Sequence, residues 1–256
     1  MNWSRQIHLK SPAELQTMRE AGRINATILA TVNELLKPGV STADLNAAAE
    51  EVLRKHGCVS PFKGYGHPPY PASITVSINR ELVHGIPSTK RKLKAGDIVS
   101  IDCGTILDGW VADSAFTAGV GEISAQAQKL LDVTLGALEA GIEKMVVGNR
   151  TGDVSAAIQN YVESRGFYVT REYTGHGVGR QMHEGPQVPN YGRPGTGMPL
   201  KPGMTIALEP MVLVGTAETR VLPDQWTVVS ADGSLTAHFE HSVAVTEGKP
   251  LILTVP

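Results

Sequence analysis

Apolar positions along this chain change their period in blocks. After Ser11-Pro12-Ala13-Glu14, placed as N-cap, first helical residue and capping-box acid, a helix is predicted to about Lys37, where Pro38-Gly39 stops it. Ser41-Thr42-Ala43-Asp44 caps a second helix with Leu45, Ala48, Val52 and Leu53 on one face, ending at Gly57. Pro61 to Pro71 is rich in Gly, Pro and aromatic residues and reads as a loop. Alternation then predicts strands over Ser73–Asn79, Asp97–Cys103 and Trp110–Phe116. Helical spacing returns at about Ala125–Val147 and Asp153–Arg165. Short strands follow at Thr205–Glu209, Met211–Val214, Trp226–Ser230 and Leu235–Thr246.

Helix, helix, strands therefore occurs twice, and a faint internal repeat accompanies it. Gly39–Gly57 maps onto Gly148–Gly166 at a shift of 109, with Thr42, Asp44, Ala47 and Ala48 recurring as Thr151, Asp153, Ala156 and Ala157. Leu93-Lys94-Ala95-Gly96 and Leu200-Lys201-Pro202-Gly203 share a frame at a shift of 107, and six residues after each glycine stands an acid, Asp102 or Glu209. The expected architecture is one α+β catalytic domain over 1–256, with pseudosymmetric halves of about 1–120 and 121–256.

Composition narrows the class. Apolar residues make up 41%, charged residues 19%, and the net charge is −2, so neither a nucleic acid nor a bilayer surface is the expected main partner. The opening Met1–His8 has no apolar core of an export signal, and no run is long enough to span a membrane. Cys58 and Cys103 lack partners at metal-ligand or scaffold spacing, which fits a reducing cytoplasm.

The candidate chemistry begins at Ile101–Asp113. Asp108-Gly109 between two alternating runs predicts a two-residue hairpin that pairs 107 with 110 and 102 with 115. Asp113 then shares a face with Asp102 as its diagonal neighbour, with Cβ atoms within about 7–8 Å, an arrangement that calls for a cation between the two charges. Glu209 stands in the otherwise apolar Ile206-Ala207-Leu208-Glu209, where an ionised carboxylate needs a partner. In Ala237–Val245, alternation puts Phe239, Val243 and Val245 on one face and His238, Glu240, Ser242 and Ala244 on the other, with His241 turned away. His176 lies in a Gly-rich turn, Thr174-Gly175-His176-Gly177, whose glycines permit unusual backbone angles or a close approach. His183-Glu184 lacks the second histidine of a zincin, and His84 follows a strand. Four carboxylates and one imidazole suit two divalent ions, Mn, Fe(II), Co or Zn. Such ions about 3.5–4 Å apart share a water and make it nucleophilic.

Asp-x10-Asp, then Gly-His-Gly-x-Gly, His-Glu-x-Pro, Glu-Pro-Met and Phe-Glu-His resemble, in that order, the type I methionine aminopeptidases, over nearly the whole chain. The resemblance implies the pita-bread fold, with pseudo-twofold halves around a central antiparallel sheet and outer helices. It implies removal of the N-terminal Met from nascent chains whose second residue is small. It places Asp113 and Glu240 as bridging ligands, Asp102 on one ion, and His176 with Glu209 on the other. By the same resemblance His183 meets the scissile carbonyl, His84 serves the P1′ side and protons, and Glu209 is a general base. Tyr70, Met182 and Trp226 would line the methionine pocket, with Thr75 beside them. Thr75 and Met182 stand where many bacterial members have Cys and Phe, and Tyr65–Pro69 is unlike the commonest loop sequence. The short stretch between His183 and Glu209 leaves no room for the helical insertion of type II members, and no zinc-finger extension precedes the catalytic part. A monomer that meets the ribosome transiently is the expected context. The rivals are an Xaa-Pro peptidase on the same fold, which normally carries a large N-terminal domain, and a non-enzymatic ribosome- or RNA-docking relative, which would be expected to lose metal ligands.

Overall fold

The structure is a computed structural model that describes residues 7–256; the start of the segment read as lacking an export signal lies outside the described residues. The elements are α1 (Pro12–Glu34), α2 (Thr42–Lys55), β1 (Ile74–Ile78), β2 (Glu81–Val83), β3 (Ile98–Leu107), β4 (Trp110–Gly119), α3 (Ala125–Glu143) and α4 (Thr151–Glu163). They continue with β5 (Tyr168–Val169), β6 (Thr174–Gly177), β7 (Glu184–Pro189), β8 (Thr205–Leu208) and β9 (Met211–Leu213). The last are β10 (Thr219–Val221), β11 (Val228–Ser230), β12 (Thr236–His238), β13 (Glu240–Ala244) and β14 (Leu251–Ile252). No helix among the described residues is long and apolar enough to cross a membrane.

Local chemistry sets the helix ends. Ser11 with Glu14, and Ser41 with Asp44, form reciprocal capping boxes that satisfy N–H groups left open at a helix start. α1 ends at Glu34 with Leu35 as its C-cap, short of Pro38, and α3 stops four residues before Val147, where Met145 turns back to pack in the core. α4 starts two residues earlier than the spacing implies, because the Asp153 carboxylate accepts the Arg150 N–H at 2.7 Å. On α2 it is Ala49, not Ala48, that is buried with Leu45, Val52 and Leu53.

The main sheet among the described residues runs β1-β3-β4-β13-β8-β6-β7, antiparallel throughout, with β14 added beside β13. α1 and α2 cover one half through Ile28, Val32, Leu45 and Leu53 against Ile74, Val76 and Ile101. α3 and α4 cover the other through Leu130, Leu138 and Ile158 against Ile206, Leu208 and Val243. Backbone bonds recur at the spacing of the sequence repeat. Thr42 N–H donates to Arg91 O and Thr151 N–H to Met198 O; Leu93 N–H donates to Val40 O and Leu200 N–H to Asn149 O.

Two expected elements differ. Leu235–Thr246 is two strands, not one. β12 pairs with β9 in a small sheet and β13 pairs with β8 in the large one, with the break at Phe239. The register is continuous through the break: His241 opposes Leu208 on one side and His238 opposes Met211 on the other, which leaves Glu240 facing Glu209 across the bend. Pro210 interrupts the facing chain there, since its nitrogen has no proton to give. Consequently Glu209 sits just past the end of β8, not inside a strand. The second difference is Thr174–Gly177, which forms β6 between β7 and β8, not a turn.

Candidate metal centre and its cleft

The hairpin between β3 and β4 has the expected register. Leu107 pairs with Trp110, Asp102 with Ala115 and Gly104 with Asp113, and both turn residues, Asp108 and Gly109, have positive φ (49° and 74°). One row then crosses four strands: Thr75 opposes Asp102, Asp102 opposes Ala115, and Ala115 opposes Glu240. Directly opposed residues share a face, so β1, β3, β4 and β13 present this row to one side of the sheet. Asp113, two residues from Ala115, lies on the same side, and the bend at Glu209-Pro210 closes the cluster from β8. His176 opposes Ala207, two residues before Glu209.

The glycines beside His176 serve close approach. A Cβ on Gly175 would lie 2.7 Å from Ala207 O, and one on Gly177 would lie 2.1 Å from Gly185 O. Neither has a positive φ; space, not backbone angle, excludes a side chain.

His176 Nδ1 lies 3.0 Å from Gly177 O. That bond takes the Nδ1 proton and leaves Nε2 as a lone pair, which lies 3.5 Å from Glu209 Oε1 and 3.7 Å from Asp113 Oδ2. Single ligand atoms of Asp113, His176 and Glu240 fall within 4.8 Å of one another. Burial pushes the Asp102 carboxyl up to about 7. Asp113, Glu209 and Glu240 are raised well above the ordinary range, first by burial and then by neighbouring carboxylate charge, that of Asp102 acting on all three. Burial holds His176 down to about 4. Asp102 Oδ1, Asp113 Oδ1 and Glu240 Oε1 are buried without a hydrogen-bond partner. Ionised oxygens left so are costly unless a cation meets them, and an oxygen-rich set with one imidazole nitrogen fits divalent ions.

The cluster floors a cleft of about 320 Å³. All eleven residues expected at the site line it: besides the five above, they are His84, His183, Tyr70, Thr75, Met182 and Trp226. Tyr70 meets Trp226 edge to face at 5.1 Å, and its hydroxyl donates to Gly85 O at 2.9 Å, so its ring edge is fixed. His84 holds a φ of 61°, and its ring faces Tyr173 and Trp226 at 6.0 Å each. A non-glycine residue in that region stores strain, which accords with a functional position. The His183 ring stands 4.4 Å from that of His176, and burial holds it neutral, down to about 3.

Three side chains had no assigned role in the sequence reading. Tyr65 Oη lies 2.6 Å from His183 Nδ1. His238 is buried with Nε2 3.8 Å from both Glu209 Oε2 and Glu240 Oε2. Asn190 Nδ2 donates to Glu209 O at 2.9 Å. Alternation does put His238 on the Glu240 face, but nothing local to Tyr65 or Asn190 announces partners so far along the chain. His241 is turned away as expected and meets Thr254 Oγ1 at 2.8 Å.

A sheet that brings four acids and a histidine to one buried point defines a metallohydrolase class, and the comparisons with known proteins agree. The model of metallopeptidase family M24 matches residues 16–247. A methionine aminopeptidase of Clostridium acetobutylicum is 51% identical over 249 residues, covering 97% of this chain and 99% of that protein. The solved structure of a methionine aminopeptidase from Thermotoga maritima superposes with a TM-score of 0.96 at 44% identity, covering 98% of this chain and all of that one. An Xaa-Pro dipeptidase from Bacillus anthracis has a TM-score of 0.76 at 24% identity over 61% of its length, a likeness of fold alone. The chain belongs to metallopeptidase family M24 and has its pita-bread α+β fold.

Proposed function

We propose that this protein is a metal-dependent methionyl aminopeptidase acting on peptides and nascent chains with a small second residue. The observation that carries the reading is the buried acid cluster with orphaned oxygens, set at the floor of a cleft walled by Tyr70, Met182 and Trp226. Asp113 and Glu240 would be shared by two ions, Asp102 would hold one, and His176 with Glu209 the other. Divalent cations there would supply Lewis acidity, lowering the pKa of a water and polarising a carbonyl.

The chain's own groups do the rest. The apolar wall accepts an unbranched thioether, and Met182 adds a pliable contact. With the Tyr65 hydroxyl donating to Nδ1, the neutral His183 ring carries its proton on Nε2 and donates it as a hydrogen bond to the scissile carbonyl oxygen. Glu209, its own proton displaced when the cations are bound, would take a proton from the attacking water and return it to the leaving amine. His84 completes the proton path on the side of the second residue. A cytoplasmic monomer that meets the ribosome transiently fits this role.

The test is release of Met from Met-Ala-Ser, its loss on chelation and its return with Co, Mn or Fe(II). Cleavage of Xaa-Pro peptides without cleavage of Met-Ala-Ser would replace this reading with the prolidase one. Activity indifferent to chelators would end it.

A further inference from the structure

Glu184 is a buried carboxylate that the chemistry above does not use. It opens β7 directly after His183, and its side chain is only 7% exposed. Oε2 accepts from Lys10 Nζ at 2.7 Å, and that lysine side chain is 2% exposed. Oε1 accepts from the backbone N–H of Arg180 at 2.6 Å and of Gln181 at 3.1 Å. Both N–H groups belong to the turn Gly179–His183, whose far end delivers Met182 and His183 to the cleft. The turn's other backbone bonds are from Gly179 N–H to Gln181 O at 3.2 Å and from Val111 N–H to Gly179 O at 2.8 Å, while the Arg180 side chain donates to Asp108 O at 3.2 Å and lies 3.9 Å over the Trp110 ring, and Tyr65 meets His183. Turn and ion pair are in direct contact, since a Cβ on Gly179 would lie 2.5 Å from Lys10 Cε and 2.7 Å from Glu184 Oε1. Lys10 is itself pinned, its N–H donating to Gly203 O at 2.8 Å ahead of β8.

A buried ion pair is a poor device for stability alone, because two apolar side chains of similar volume serve as well or better. An ionised carboxylate is, however, a strong acceptor of several N–H bonds at once. Lys10 Nζ, 2.7 Å from Oε2, sets the opposite charge against that carboxylate, so neither buried charge is left unpaired.

We propose that Lys10 and Glu184 are positioning residues for the reaction: by gathering the Arg180 and Gln181 N–H groups, the pair sets where His183 and Met182 face the acid cluster. This rests on the reading of His183 as the group that meets the scissile carbonyl. The discriminating variants are two doubles that both remove the buried charges. Lys10→Met with Glu184→Leu leaves no acceptor for the two N–H groups, whereas Lys10→Met with Glu184→Gln keeps an amide oxygen in their place.

In the Mn-loaded enzyme, the Leu double should lose about 100-fold in kcat on Met-Ala-Ser, the scale of an ångström of misplacement. It should keep its Tm and its Mn affinity, and amide exchange should speed up at Arg180 and Gln181 but not in β3 or β4. The Gln double should regain most of the lost kcat. Equal kcat in the two doubles, or unchanged exchange at Arg180 and Gln181 in the Leu double, would overturn the proposal. A wild type that releases no Met would sink the function instead, and the exchange measurement would still judge the turn.

Discussion

Stripping the metal should make the protein's stability fall as pH rises through neutrality. Without cations, Asp102 is pushed up to about 7 from an ordinary 3.8, and Asp113, Glu209 and Glu240 are raised further in the same direction. A carboxyl whose folded pKa exceeds its unfolded one holds a proton in the native state that the unfolded chain has already released. Its stabilising contribution is complete below about pH 4 and is lost as pH rises through the folded value. Below about 6.5 the buried histidines oppose this. His84, His176 and His241 are held down to about 4, and His183 and His238 to about 3, so their contribution is present above 6.5 and lost as pH falls. The clean window is therefore pH 7.5 to 9, a unit or more above the ordinary histidine value, where these five histidines are neutral in both states and the acids dominate. Each carboxyl still protonated there costs about 1.4 kcal/mol per pH unit, or roughly 2 kcal/mol across the window. For a chain of this size that is a Tm drop on the order of 5 °C per retained proton. Calorimetry at four pH values with a chelator, then with Mn, measures it directly. Bound cations replace the protons, so the loaded protein should lose this slope and gain more from metal at pH 9 than at 7.5. A metal-free Tm that is flat or rises from pH 7.5 to 9 would refute the picture of a crowded, proton-holding acid cluster.

Other outcomes follow from the same geometry. Asp113→Asn keeps the shape of the site but removes a shared ligand; Met release should be abolished with the circular-dichroism spectrum unchanged, and retained turnover would count against the ligand role. Gly177→Ala must push aside Gly185 O, 2.1 Å from the new Cβ, at a cost of about 1–3 kcal/mol, and should displace neighbouring His176 and weaken metal binding by titration calorimetry. Tyr65→Phe removes the proton offered to His183 Nδ1 and should lower kcat by about 10-fold, the worth of one hydrogen bond, without changing metal affinity; an unaltered kcat would show that the ring orients by itself.

The hairpin was legible because its information is local: Asp108-Gly109 dictates a turn, a two-residue turn dictates register, and register dictates that Asp102 and Asp113 share a face. Capped helix starts at Ser11 and Ser41 were legible for the same reason. The order of motifs from Asp102 to Glu240 carried the family, and with it the candidate site residues, because each motif is short and contiguous. What one dimension could not hold was the bend between β12 and β13. Period-two alternation looks the same in a straight strand and in a ribbon that changes sheets, so Leu235–Thr246 read as one element. β6 was likewise invisible, since two of its four residues are glycines and its strand character comes wholly from β7 and β8 on either side. The same limit hid Tyr65 beside His183 and Lys10 beneath Glu184, 118 and 174 residues apart. Sequence by itself determined the family, which residues are the candidates for its chemistry, and which faces they share within a hairpin. Only the folded chain decided which distant groups hold those residues in place, because such pairings depend on how sheets and loops close in space and leave no periodic trace.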